Sequence, residues 1–277
     1  MIITADDFGL APEVNKAVEI AHKGGILTAA SLMVSGRAAT EAVAMARRLP
    51  ALRVGLHLVL VDGLPTLPAE RIPDLVDGDG RLRRDLMKIG IDIFARPGVR
   101  RQLAAEIDAQ FAAFRATGLP LDHVNAHHHF HLHPTVCALM LEIGKRYEAK
   151  AVRVPREPEA LDGPRLPGLR AGAWALAPWV ARLDRRVRDY GMTAPAQVFG
   201  LAWSGAMTRE RMLRLLKALP DGITEIYCHP ATSNVFVDAV QGYRYADELD
   251  ALTAQEVMSR VRDNPIRTGG YLDFALK

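Results

Sequence analysis

Short apolar runs alternate along this chain with longer stretches in which apolar residues recur every three or four positions. "MIIT" at the N-terminus is a compact apolar run, and "APEVNKAVEIAHKGG" after it has helical spacing, with Pro12 near its start and Gly24-Gly25 at its end. The same order repeats: "AASLMV" predicts a buried strand and "RAATEAVAMARRLP" a helix, "RVGLHLVLV" a third strand. A Pro/Gly/Asp-rich stretch from Asp62 to Asp85 then predicts an ordered loop over one face. Residues 99–117 predict an amphipathic helix, "LDHVNA" a fourth strand, "PTVCALMLEIGKRYE" a helix with proline in its first turn, and "AVRV" a fifth strand. Beyond the irregular "PREPEALDGPRLPGLR" come a helix in "AWALAPWVARLDRRVRDYG", a strand in "AQVFGL", a helix in "TRERMLRLLKAL" and a strand in "ITEIYC". One or two helices are predicted between Tyr243 and Asp263, and a terminal strand near Gly270 to Ala275. Alternation of this kind predicts parallel strands joined by crossover helices, and no linker divides it, so one domain over residues 1–277 is expected, with irregular insertions near 62–85 and 155–190.

The polar residues interrupt this pattern at particular places. "ADD" follows the first strand, His57 sits within the third, "NAHHH" follows the fourth, Arg153 lies in the fifth, and "CHP" follows "ITEIY". In a parallel barrel or sheet these carboxyl ends share one face, so residues distant in sequence converge there. Asp6 and Asp7 are adjacent on an extended segment and point different ways, which would let one bind a cation while the other serves as a base. The plainer reading is a turn or helix cap. His57 between leucines is either a packed core imidazole or a ligand facing a cavity.

"HVNAHHHFHLHP" holds six of the nine histidines. Neighbouring side chains cannot all reach one ion, so a single ligand is expected from the run, and His127, first after the strand, is the candidate. His128, His129 and His131 would line the pocket or orient other groups; a plainer role for His131 and His133 is entry to the helix beginning at Pro134. Two histidines and an aspartate around an open position form the kind of site in which an ion activates water, and such N/O ligation suits zinc, with other divalent ions compatible. His229 could protonate a leaving group, and Arg153 could pair with Asp6 and hold its pKa down.

Composition narrows the classes. At 49% hydrophobic and 24% charged residues over 277 positions the chain is globular, and a net charge of +3 from scattered basic residues gives no nucleic-acid footprint. Two cysteines without metal-motif spacing, Cys137 and Cys228, fit core positions and a reduced, cytoplasmic setting. "MIITADDFG" has no leader character and is expected to be a first strand. The longest apolar run, from Ala171 to Ala181, is too short to cross a bilayer. "AGAWALAPWVARLDRRVRDYG" combines Trp174 and Trp179 with four arginines, a composition of peripheral contact at an inner-membrane interface as well as of an ordinary helix with a solvated basic face.

Taken together, "TADDFGLAPEVNKAVEIAHKGGILTAASLMV", "VGLHLVL", "LDHVNAHHHFHLHP" and "TEIYCHP" resemble the YdjC-like carbohydrate deacetylases, the family of chitooligosaccharide deacetylase. The resemblance implies a distorted (β/α) barrel related to polysaccharide deacetylases, one divalent metal ion (zinc or magnesium), and removal of an N-acetyl group from an amino sugar. By motif it implies Asp7, His57 and His127 as ligands, Asp6 as base and His229 as acid, with Arg153 beside Asp6 and with His128, His129, His131 and Asn125 at the substrate. Asn125 stands where family members often have aspartate. The wording of "GLHLVLVDGLPTLP", "IPDLVDGDGRLR" and "LPLDHVNAHHHFHLHPTV" is most similar to the hopanoid-biosynthesis-associated branch, which implies a lipid-linked N-acetylglucosaminyl substrate. Metal-dependent cleavage of another amide or a phosphoester, action on soluble chitooligosaccharides, and a non-catalytic metal-binding role are the competing readings. The sequence leaves open which ion is bound and whether the chain is a homo-oligomer.

Overall fold

A computed structural model describes residues 1–158 and 169–275, with backbone alone at 169–176 and 275. Its centre is a six-stranded, all-parallel sheet of β1 (Ile2–Phe8), β2 (Ala29–Leu32), β3 (Arg53–Leu58), β4 (Val124–Ala126), β5 (Gln197–Phe199) and β6 (Thr224–Cys228). The spatial order is β4-β3-β2-β1-β6-β5. The sheet curls until its two edges are linked by residues 151–156. On one side Val124 N–H donates to Ala151 C=O and Arg153 N–H to Val124 C=O; on the other, Val198 N–H donates to Arg156 C=O. The result is a distorted (β/α) barrel, as expected. The predicted "AVRV" strand contributes only isolated bridges, Val124 with Val152 and Ala151 with Thr193, because it sits where the ring closes unevenly.

The crossover helices are α1 (Pro12–Gly24), α2 (Ala39–Arg47), α3 (Leu86–Ala95), α4 (Pro97–Ala116), α5 (Pro134–Arg146), α6 (Leu169–Asp189) and α7 (Arg209–Lys217), and α8 (Tyr245–Thr253), α9 (Gln255–Arg262) and α10 (Leu272–Ala275) follow the last strand. They pack apolar stripes onto the sheet, so Val14, Val18 and Ala21 of α1, and Leu103, Ile107, Phe111 and Phe114 of α4, are buried at helical spacing. Two expectations need correction. The C-terminal segment is not a strand but the short helix α10, where the N–H groups of its first residue Leu272 and of the preceding Tyr271 donate to the buried Asp122 carboxylate instead of to a neighbouring strand. A separate helix, α3, precedes α4 where no element was expected; Asp85 caps it by accepting from Lys88 N–H, and Pro97 starts the next helix.

The described part of the 171–191 segment is the end of α6. Leu183 and Val187 are buried in the core while Arg182, Arg185 and Arg188 face outward. Trp174 lies outside the described side chains, and Trp179 is exposed. Among the described residues no helix is long and apolar enough to cross a membrane.

Candidate active site

Inside the ring the strands carry buried polar residues at alternate positions, above a small apolar layer that includes Ile2 and Ala29. Thr4 and Asp6 of β1, Ser31 of β2, His57 of β3, Asn125 of β4, Arg153 in the closing segment, and Glu225 of β6 are all buried, and they satisfy one another. Gly55 belongs to the same face; a Cβ there would lie 2.5 Å from the His123 ring, so only glycine lets that imidazole fill the barrel.

Arg153 is the hub. Its guanidinium donates to both oxygens of Asp6 and both oxygens of Glu225, and lies 4.5 Å from the centre of the Tyr227 ring. Thr4 and Tyr271 hydroxyls complete Glu225. The Arg153–Asp6 pair expected from the sequence is thus an interior one, with both side chains buried. Asp6 Oδ1 also accepts from Ser31 Oγ at 2.8 Å and Asn125 Nδ2 at 3.1 Å. Ser31 in turn faces His123 Nε2 at 3.2 Å, and His123 Nδ1 faces Asp122 at 2.9 Å. Burial alone would raise the Asp6 carboxyl, but Arg153 and then His57 outweigh it and hold the group well below the ordinary carboxylate range.

Asp7 departs from the alternation. Its φ of +62° lies in the left-handed region, which aspartate tolerates better than most residues, and the β1–β2 register shifts between Ala5 and Phe8. Extended neighbours would face opposite sides of the strand; this twist brings both carboxylates into one pocket instead. Asp7 Oδ1 lies 3.2 Å from His57 Nε2 and 3.2 Å from His127 Nδ1. Despite these distances, neither Asp7 Oδ1 nor His57 Nε2 has an aligned hydrogen bond among the described residues, although both atoms are buried. Three lone-pair atoms within 4.8 Å of one another, two of them orphaned, fit a shared cation better than they fit each other. A second group, Asp62, His127 and His128, is more exposed and shares His127. Burial would raise Asp7 too, but His127 and His57 hold it well below the ordinary value.

The remaining expected residues divide into two sets. His127, His128, His129 and His229 line the same pocket as Asp6, Asp7 and His57, together with Tyr227 and Tyr243. His128 and His129 both have left-handed φ, 54° and 51°, so the run turns sharply and its side chains fan out. His129 Nε2 meets Tyr227 Oη at 3.0 Å, and burial with Arg153 nearby holds this imidazole well below its ordinary pKa. The His229 ring is 5.2 Å from that of Tyr243, and its backbone N–H donates to the buried Glu248. His131 and Asn125, expected at the substrate, need correction, since both are fully buried. His131 Nε2 donates to Arg153 C=O at 2.9 Å and braces the closing segment. Asn125 Oδ1 accepts from His57 Nδ1 at 2.7 Å while its amide nitrogen serves Asp6; the neutral side chain fixes the imidazole tautomer that leaves His57 Nε2 without a proton. Both cysteines are buried, as expected, and burial pushes the Cys137 thiol up to about 11.

Sequence reasoning missed Ser31, His123, Glu225, Tyr227, Tyr243 and Glu248. A usable signal existed for Glu225, an acid inside the otherwise apolar "ITEIYC", two positions before Tyr227 and so on the same strand face.

Known proteins give the geometry a family. A model of the family described as YdjC-like protein matches residues 1–263. A carbohydrate deacetylase of Brevibacillus brevis is 32% identical over 273 residues, covering 96% of this chain and 96% of its own. A chitooligosaccharide deacetylase of Serratia marcescens is 27% identical over 292 residues, covering 99% of this chain and 98% of its own. The crystal structure of a protein from Enterococcus faecalis V583 superposes with a TM-score of 0.77 at 26% identity, over 99% of this chain and 98% of that one. A match spanning nearly every element of the barrel, including all five strands that carry the polar interior, makes this chain a member of the YdjC-like protein family.

Proposed function

We propose that this chain hydrolyses the N-acetyl group of an amino sugar, with Asp7, His57 and His127 holding one divalent ion. It is a hydrolytic deacetylase, the activity for which its relatives are named. The observation that carries the metal reading is the convergence of Asp7, His57 and the half-buried His127, with Asp7 Oδ1 and His57 Nε2 buried and without aligned partners among the described residues. Zinc suits this donor set, with magnesium the other candidate, and such an ion polarises a carbonyl and acidifies water.

The chain's own groups do the rest. Asp6, kept ionised by Arg153, has one oxygen crowded by three donors and the other, Oδ2, with Arg153 alone, so Oδ2 accepts the proton of the attacking water. His229, across the pocket beside Tyr243, delivers a proton to the departing amine as acetate leaves. Tyr227 and His129 close the pocket wall and orient the acetyl group, while His128, part exposed, meets the sugar. Asn125 and His131 position these groups from behind.

Acetate release from N-acetylglucosamine oligomers, measured beside phosphate release from sugar phosphates, tests the reaction class. Asp6→Asn and His229→Ala should each lower turnover by about 10²–10⁴-fold with the ion still bound. Full activity in both variants would refute the assigned roles, and tolerance of Asp6→Asn with several ions per chain would favour a metal store. The finer reading, an N-acetylglucosaminyl group on a hopanoid lipid, is supported by the branch-like wording of the sequence and by an exposed apolar helix next to the pocket. Soluble chitooligosaccharide assayed in parallel decides between them, because a clear preference for the soluble sugar would remove the lipid.

A further inference from the structure

α3 presents an unusual surface. Its inward side is ordinary: Ile89, Gly90 and Ile93 are buried, with Gly90 packed beside the His133 ring. Its outward side is also apolar. Leu86, Met87, Ile91 and Phe94 are 41%, 76%, 61% and 69% exposed, and the last three, at i, i+4 and i+7, form one continuous stripe on a ten-residue helix. Single exposed apolar residues need no explanation, whereas an aligned set of this size marks an interaction face.

The surroundings of the stripe say what covers it. Residues 81–101 contain seven arginines and lysines against two aspartates, a surplus of five positive charges in a chain whose total is +3. Asp85 and Asp92 pair with Lys88 and Arg83, and from outside the segment Asp62, Asp74 and Asp238 pair with Arg84, Arg96 and Arg81, so the surplus left on the collar is two, at the exposed Arg100 and Arg101. Outward apolar side chains in a basic collar, with long cationic side chains able to reach past them, make the pattern of a helix lying in the plane of an anionic bilayer surface. A second copy of the chain is the poorer fit, because a two-fold contact through this stripe would press the same basic collar against itself.

The face is also continuous with the site. Arg81 and Arg84, immediately before α3, line the cleft that contains Asp7 and His127. Asp238 pairs with Arg81 at 3.1 Å and anchors a loop whose Val235 and Val237 are 85% and 62% exposed, so a second apolar element stands on the same rim. We propose that α3, assisted by this loop, docks the chain on an anionic lipid surface and turns the mouth of the pocket toward the bilayer. The proposal rests on the reading of a lipid-borne amino sugar for its purpose, but vesicle binding is measured without turnover.

The test is co-sedimentation of the full chain with phosphatidylcholine vesicles, with and without phosphatidylglycerol. The wild type should sediment with the anionic vesicles, and added salt should release part of it. Met87→Gln/Ile91→Gln/Phe94→Gln, which exchanges exposed apolar groups for polar helix formers, should lower partitioning by roughly a hundredfold. Lys88→Gln/Arg100→Gln should lower it by roughly tenfold on anionic vesicles alone. Circular dichroism melts check the fold, and the triple variant should still release acetate from soluble N-acetylchitobiose at the wild-type rate. A wild type left in the supernatant, or a triple variant that sediments equally, overturns the docking. So does a wild-type dimer on size exclusion that the triple variant converts to monomer. Vesicle binding by a chain that releases no acetate from any amino sugar would uphold the docking and overturn only the reading of the site.

Discussion

Arg153→Met is the substitution that tests the architecture of the pocket most directly. Methionine keeps most of the aliphatic length but removes four hydrogen bonds, two to Asp6 and two to Glu225, and with them the positive charge between two carboxylates that are 2% and 0% exposed. Removing one partner of a buried ion pair costs about 3–5 kcal/mol, most of it the desolvation of the charge left behind. Ser31, Asn125, Thr4 and Tyr271 still donate to the stranded carboxylates, which keeps the cost within that range instead of doubling it. At about 2 °C per kcal/mol for a chain of this length, the melting temperature should fall by roughly 6–10 °C.

The pH dependence carries a definite sign. In the wild type the Asp6 pKa is depressed, so its stabilising contribution is complete above the ordinary carboxylate value and is lost only as the pH falls through the folded value. In the variant, burial without Arg153 raises the carboxyl pKa values, so protonation relieves the repulsion as the pH falls. Calorimetric melts of metal-free protein should therefore show the largest gap near pH 8 and a smaller one near pH 5. Adding Glu225→Gln to Arg153→Met removes one stranded charge and should recover a third to a half of the loss, a coupling that a double-mutant cycle reads directly. A single variant melting within about 2 °C of the wild type at pH 8, or a gap that widens as the pH falls, would refute the account of Arg153 as the group that compensates both acids.

Other outcomes follow from the same geometry. His57→Ala and His127→Ala should each lose the bound ion on dialysis, measured by metal analysis, while folding is retained; chelation of the wild type should abolish acetate release and zinc should restore it. Gly55→Ala should cost about 1–3 kcal/mol in chemical denaturation, because the new methyl group meets the His123 ring inside a filled barrel. Glu248→Ala strands the N–H groups of Met207 and His229 and should lower kcat with KM and metal content little changed, since it shifts the proposed acid without touching the ligands; unchanged kcat would detach Glu248 from His229.

The parts of this molecule that were legible in the sequence are those in which local pattern and tertiary role coincide. "RVGLHLVLV" and "ITEIYC" are apolar enough to be strands in any context, and once strands are parallel their carboxyl ends must share a face, so "ADD", "NAHHH" and "CHP" could be gathered without a structure. α3 was illegible for the opposite reason: "LMKIGIDIFA" is short, follows directly on a Pro/Gly/Asp-rich stretch and contains a glycine, and its outward apolar side is explained only by what lies outside the chain. Asp7 shows the limit at a single residue, since nothing in "ADDF" announces a left-handed backbone, and yet that one rotation turns two carboxylates that should diverge into neighbours in one pocket. Asn125 shows the limit in a network. Read alone, it is an amide near the histidine run and a natural contact for a sugar. In the barrel its oxygen holds the His57 ring and its nitrogen holds Asp6, so the neutral side chain bridges the proposed ligand set and the proposed base. An aspartate there would keep the first bond and set a second carboxylate against Asp6. The amide therefore fits a pocket in which Arg153 already has two acids to neutralise and a third would be left without a counterion.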